Sequence, residues 1–307
     1  MMKKIVIAGG TGNLGKILTK EFLKRGDEVF LLSREQHRSD HPALHYVLWD
    51  GEQLADWVQK IEGADVLINL TGLSINRIFN EKNKALLLSS RVVPTSLLGK
   101  AIGTMEHPPK IWINASGVSI FNGRKTLQDE TSTDFGHDFL AELAKKWEAA
   151  CLNTSTPDTQ KVILRISPVL MQGSGMFAEL YPLAKFGLAG KVGDGKQMVS
   201  WIHGEDFKRL LLWITDLEKP DQVYHACSPN PVSNAEFMKA IRKAAHMPIG
   251  LPLPVFMAKI GAKFKGVDAS LLLETVPVTT ILTSQRGFTF KFPYIQPAIS
   301  DLADQST

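Results

Sequence analysis

The stretch Lys4-Ile5-Val6-Ile7-Ala8-Gly9-Gly10-Thr11-Gly12-Asn13-Leu14-Gly15 decides the fold. A short apolar run breaks into glycines at positions 9, 12 and 15, then resumes with helical periodicity. This is the pattern of a buried strand, a tight turn and the first turn of a helix. The first amides of a helix lack internal partners and sit at the positive end of its dipole, so they bind phosphate without a basic side chain. Gly9 permits the turn, Gly12 leaves room for a pyrophosphate, and Gly15 lets the helix pack closely on the sheet. The spacing is G-x-x-G-x-x-G rather than G-x-G-x-x-G, but its place directly after Ile5-Val6-Ile7 predicts a dinucleotide cradle.

The segment from Lys16 to Arg34 supplies an independent check. Lys16 to Arg25 reads as a helix with Ile17, Leu18, Phe22 and Leu23 on one face, Gly26 stops it, and Val29 to Leu32 is a buried strand. At the end of such a second strand an acidic residue suits the ribose 2′-hydroxyl of NAD, whereas an arginine suits the 2′-phosphate of NADP. Here the residues are Ser33-Arg34. A guanidinium pairs with phosphate through charge-assisted bonds and the serine hydroxyl adds another, so NADP(H) is expected over NAD(H).

The 307 residues suffice for one large or two moderate domains. A net charge of +4, spread along the chain, argues against a nucleic-acid partner. Cys151 and Cys227 lie in no disulfide or zinc spacing, which fits a reducing cytoplasm. The apolar run at the N-terminus is too short for a signal peptide, and no stretch is read as long enough to cross a bilayer, so no membrane partner is expected. A small-molecule substrate is expected, and a homodimer is left open.

Strand and helix go on alternating. Strands are predicted over 44–48, 65–70, 111–115 and 162–166, with helices over 52–61, 81–102 and 138–152. Ligands of an open parallel sheet bind beyond the carboxyl ends of its strands, so Asn69, Leu70, Thr71 and Gly72 should line the cleft, with Ala115 and Ser116 at the same edge. The fold class is therefore α/β: a Rossmann-type doubly wound parallel sheet over 1–170, completed by part of 205–226, with a smaller C-terminal substrate domain over 171–307. In that C-terminal part, Ser233-Asn234-Ala235-Glu236 has the spacing of a capping box. A further helix is read from Val255 to Phe264.

Together with the glycine turn, Ser33-Arg34, Ile68 to Gly72 and Ser116-Gly117-Val118 resemble the extended short-chain dehydrogenase/reductases. Ser89-Ser90-Arg91, Lys146-Trp147-Glu148, Ser200-Trp201-Ile202-His203 and Asn234-Ala235-Glu236-Phe237 narrow the likeness to the atypical, epimerase-like branch. The resemblance covers nearly the whole chain and implies an NADP(H)-dependent oxidoreductase or epimerase-like enzyme. It points to Gly9, Thr11, Gly12, Asn13, Leu14, Ser33, Arg34, Leu70, Thr71, Arg91 and Val169 as cofactor neighbours.

The departures concern proton transfer. Hydride-transferring members use a Tyr-x-x-x-Lys pair, in which the lysine lowers the tyrosine pKa. This chain has only Tyr46, Tyr181, Tyr224 and Tyr294, and the helix that should carry the pair offers Phe139, Leu140 and Ala144. Two consecutive tyrosines common after the fifth strand in this branch are replaced by Ile120 and Phe121. That leaves Ser116, either catalytic or capping a turn, and His203, either an acid–base or a loop-fixing residue. His37, His41 and His45 are four apart, but Pro42 argues for a loop, so no metal is expected. A competing reading, prompted by the missing phenols, is an NADP(H)-binding redox sensor without turnover.

Overall fold

The computed structural model describes residues 2–305. Its first elements are β1 (Lys4–Ala8), α1 (Asn13–Arg25), β2 (Glu28–Ser33), β3 (Leu44–Leu48), α2 (Trp57–Ile61), β4 (Val66–Asn69) and α3 (Glu81–Ile102). Then come β5 (Ile111–Gly117), α4 (Phe139–Leu152), β6 (Gln160–Ile166), β7 (Val169–Leu170), α5 (Gly175–Lys185), β8 (Met198–Val199), β9 (Ile202–His203) and α6 (Gly204–Asp216). The last are β10 (Val223–Ala226), β11 (Val232–Ser233), α7 (Asn234–Ala244), α8 (Val255–Lys265), α9 (Ser270–Leu273), α10 (Leu282–Gln285) and α11 (Ile295–Asp304).

Seven strands form one sheet in the order β10-β6-β5-β4-β1-β2-β3, every pair parallel. Because successive side chains alternate between faces, Ile5 and Ile7 join one apolar layer while Val6 and Ala8 join the other. The first layer is completed by Leu18 and Phe22 of α1 and by Phe207, Leu210 and Ile214 of α6. Trp57, Leu98, Ala101 and Cys151 complete the second. Burial on both faces explains why these strands are continuous apolar runs. A separate apolar cluster gathers Phe177, Trp201, Phe237, Ile241 and Ile299. The order of strands reverses between β1 and β4, which opens a crevice at their carboxyl ends.

The α/β parallel sheet is as the sequence predicts, and β10 is its seventh strand. Three expectations need correction. The helix expected over 52–61 begins only at Trp57, because the Asp50 carboxylate accepts from the amides of Glu52 and Gln53 at 2.8 and 2.9 Å and holds them in a turn. The first helix begins at Asn13, earlier than Lys16. Finally, α3 is long and apolar enough by composition to cross a membrane, but half of its most apolar window is buried inside the protein, where it packs against the sheet and α4.

Candidate functional site

The crevice is shaped by its glycines. Gly9 has φ +79°, and a side chain there would begin 2.9 Å from the Leu70 carbonyl. The turn after β1 is thereby seated against the end of β4. Gly12 is extended and caps α1 without any side-chain bond, and no acidic residue occupies that helix's first turn. Thr11, Gly12 and Asn13 are exposed and Leu14 is half-buried, so the helix N-terminus opens into the crevice. Gly15 is buried; a Cβ there would stand 2.4 Å from Gly10 Cα, so this glycine shapes the turn without facing a ligand.

At the end of β2, Arg34 is exposed, and among the described residues nothing pairs with its guanidinium. Ser33 is buried, and its hydroxyl accepts from the Glu35 amide at 3.2 Å. Leu70, Thr71 and Gly72 follow β4 at the crevice. Asn69 does not line it as expected, being fully buried. Its amide donates to Thr95 Oγ1 and Asn114 Oδ1 at 2.8 and 2.7 Å, while its oxygen accepts from the amide and hydroxyl of Thr71. Asn69 thus positions the ends of β4 and β5. Ala115 and Val169 are likewise mostly buried, at the ends of β5 and in β7.

Arg91 comes from α3 to lie against Gly72, whose added Cβ would be 3.0 Å from its Cζ. The guanidinium stacks over Trp147 at 5.1 Å and donates to the carbonyls of Leu87 and Leu73. Among the described residues it has no carboxylate partner. Burial, with Arg77 nearby, pulls its pKa down to about 10. An anion in the crevice would compensate this charge.

Ser116 is where the expectation and the structure part. Ser116, Arg165 and His225 stand side by side across β5, β6 and β10. Ser116 Oγ donates to Glu148 Oε1 at 2.7 Å, and Arg165 grips the same carboxylate through Nε and Nη2 at 2.9 and 3.0 Å. A hydroxyl has one proton, and this one is committed to a buried carboxylate. Ser116 therefore cannot also donate to a substrate oxygen in this arrangement, which argues against the catalytic one of its two readings. Arg165 also lies 5.2 Å from the rings of Phe121 and Phe135. His225 Nδ1 bonds the Thr279 carbonyl at 2.9 Å, so that nitrogen carries the proton; burial lowers the ring's pKa and keeps it neutral.

The other acid–base candidates are also held by the protein. His203 caps α6, its Nδ1 accepting from the Glu205 amide at 3.1 Å. The ring packs on Phe292 at 4.0 Å, and Nε2 stands 3.4 Å from Asp301 Oδ2 without the alignment of a hydrogen bond. Burial depresses its pKa against the opposing pull of Asp301. It borders a cleft of about 430 Å³ beside Asn13 and Lys16, on the α1–α6 side of the sheet rather than next to Ser116. Ile120 and Phe121 are fully buried, so a phenol there would enter the core rather than the crevice. Leu140 and Ala144 are buried too. His45 pairs with Glu28 and His37 packs on Tyr46, and among the described residues no three metal-ligating side chains converge.

A second cavity of about 520 Å³ lies where the loop after β5 meets the C-terminal part, lined by Asn122, Lys259, Asp268, Ser270, Glu274 and Thr275. Backbone bonds from Gly123 to Thr275 and from Gln128 to Pro277 hold the two segments together, and Asp268 accepts from the Phe79 amide in the loop after β4. Burial, and then the neighbouring Asp138, raise the Glu274 carboxyl to about 8 from its ordinary 4.5. The native state thus keeps a proton that the unfolded chain releases near 4.5, and stability falls as pH rises between the two values. Glu274→Gln should therefore melt higher than the parent at about pH 8, with the gap closing towards about pH 5. Equal melting temperatures at both pH values would show that the carboxyl is ionised in the native state.

Glu148, Arg165, His225 and Glu274 are not read as site residues from the sequence. Two of them left a signal, a charge on the apolar face of α4 and a charge within the apolar run of β6.

The model of the NAD dependent epimerase/dehydratase family matches residues 5–227. The chain belongs to this family. Among its relatives is Epimerase family protein SDR39U1 of Mus musculus, 32% identical over 97% of this chain and 99% of that protein. Another is Epimerase family protein YfhF of Bacillus subtilis, 31% identical over 99% of each. The crystal structure of human epimerase family protein SDR39U1 with NADPH superposes with a TM-score of 0.85 at 28% identity, covering 98% of this chain and 99% of that one. The family fold accounts for the parallel sheet.

Proposed function

We propose that the chain binds NADP(H) in the β1–β4 crevice and acts as an oxidoreductase or epimerase-like enzyme on a small organic substrate. One observation carries the reading: the open N-terminus of α1 stands at the switch point of the sheet while Arg34 waits unpaired at the end of β2. The human relative solved with NADPH supports it. Amides of Thr11 to Leu14 would hold the pyrophosphate, Arg34 and Ser33 the 2′-phosphate, and Arg91 would add positive charge near Gly72. Bound there, the cofactor supplies or accepts a hydride. The part from 171 onward would serve as the substrate domain, with the cavity beside Asn122 and Glu274 between it and the sheet.

The proton is the weak point of such chemistry here. A positioned acid contributes about 10²–10⁴-fold to rate, and this crevice has neither the phenol nor a free Ser116 proton. Reduction of simple ketones and aldehydes is expected to be slow, and little changed by Ser116→Ala. The same observation favours a second reading, an NADP(H)-binding protein that reports redox state to a partner.

Calorimetric titration with NADPH and NADH tests the cofactor assignment. NADPH should bind more tightly, and Arg34→Ala should erase about 1.5–3 kcal/mol of that preference, roughly 10- to 150-fold. Equal affinities in the parent would overturn it. NADPH oxidation against a panel of carbonyl compounds then separates the readings, since tight binding without turnover selects the sensor.

A further inference from the structure

Helix α8 is built inside out. Ala258 and Ala262 are buried, whereas Phe256, Met257, Ile260 and Phe264 face solvent, Phe264 with 90% of its surface exposed and Phe256 with 65%. An amphipathic helix of a globular protein buries its large apolar side chains instead. The apolar surface continues beyond the helix. The Leu251 amide donates to the Gly187 carbonyl and the Leu253 amide to that of Lys191, so residues 186–193 run beside 249–255. This alignment adds Phe186, Leu188, Ile249 and Leu251, all more than half exposed. At the far end Lys265 meets Glu179 of α5 at 2.5 Å. Large exposed apolar side chains on adjoining segments, rather than scattered singly, are the mark of an interaction surface. Such a face calls for an occupant.

Charge selects the occupant. Residues 180–193 and 249–267 contain five lysines and no aspartate or glutamate, and although Glu179 at the edge takes up Lys265, Lys185, Lys191, Lys259 and Lys263 remain without an acidic partner among the described residues. In a two-fold interface between identical faces these lysines would oppose one another. An anionic lipid surface suits both components: the phenylalanines and aliphatic side chains enter the boundary between headgroups and acyl chains, and the lysines extend along them to the phosphates. We infer that the face made by α8 with segments 186–191 and 249–251 docks the protein peripherally on an anionic bilayer. The expectation of no membrane partner rested on spanning length, which this mode of attachment does not require.

The test is sedimentation of the full chain with vesicles of phosphatidylcholine alone or containing about 30 mol % phosphatidylglycerol. The parent should sediment with the anionic vesicles and remain in solution with the neutral ones. The double change Phe256→Ser and Phe264→Ser should abolish sedimentation, while Lys191→Glu with Lys263→Glu, both exposed and outside the cavities described above, should weaken it at least about ten-fold. Raised salt should weaken it as well. Circular dichroism and sedimentation velocity of every variant establish that it is folded and report its oligomeric state. The proposal is overturned if folded parent ignores anionic vesicles or binds neutral ones equally well. It is also overturned by a dimer in solution that the two serine changes dissociate, since a second copy would then cover the face.

Discussion

Gly12→Val is expected to abolish binding of NADPH and NADH alike while the protein keeps its circular dichroism and melting temperature, whereas Gly15→Val is expected to destabilise the fold itself. At Gly12 the backbone is extended, with φ −74° and ψ 172°, and an added Cβ would touch only the Gly9 carbonyl at 3.4 Å. The chain accepts that side chain, and its methyl groups project into the space at the open end of α1. At Gly15 the added carbon lies 2.4–2.6 Å from three backbone atoms of Gly10. Neither backbone can retreat without shifting α1 off β1, at a cost of about 3 kcal/mol or more. Calorimetry and urea denaturation measure the two effects separately. Undiminished binding by Gly12→Val would place the phosphate site elsewhere, and wild-type stability of Gly15→Val would refute the packing account.

The second large effect concerns the carboxylate that holds the Ser116 proton. Glu148 and Arg165 are each less than a tenth exposed, and their pairing is bidentate. Glu148→Ala leaves a buried guanidinium without its counterion and a buried hydroxyl without its acceptor. Loss of one partner from such a pair costs about 3–5 kcal/mol, and replacing both with apolar groups costs much less. The double variant Glu148→Ala, Arg165→Met should therefore recover part of the loss in urea denaturation. Additive losses in the double variant would show that the two side chains are not coupled.

Much of this architecture is legible in the sequence because it rests on local rules. Ile5 to Ile7 reads as a buried strand, the glycines as a turn, and Asp138 and Ser233 sit where the caps of α4 and α7 form. The failures are tertiary. Asp50 looks like the end of a strand and nothing more, yet its carboxylate folds the next residues away from a helix. Ser116 and Glu148 are 32 residues apart, and only the packing of α4 over β5 shows that the serine proton is spoken for. For α8 the periodicity gives the helix but not its orientation, since alanines and phenylalanines are equally apolar as letters and only contact with the rest of the chain shows which were turned inward.

The edge strand β10 has a consequence for how the molecule is made. Six strands of the sheet are complete once Ile166 has left the ribosome, but the seventh, at Val223–Ala226, must wait for α5 and α6 to be synthesised. Until then β6 carries a row of amides and carbonyls open to any neighbouring nascent chain. The last pairing spans a long loop of sequence and so comes slowly. A polypeptide of this design must be made as far as residue 226 of its 307 before its sheet is whole, and the interval between β6 and β10 is when a chaperone would have most to protect.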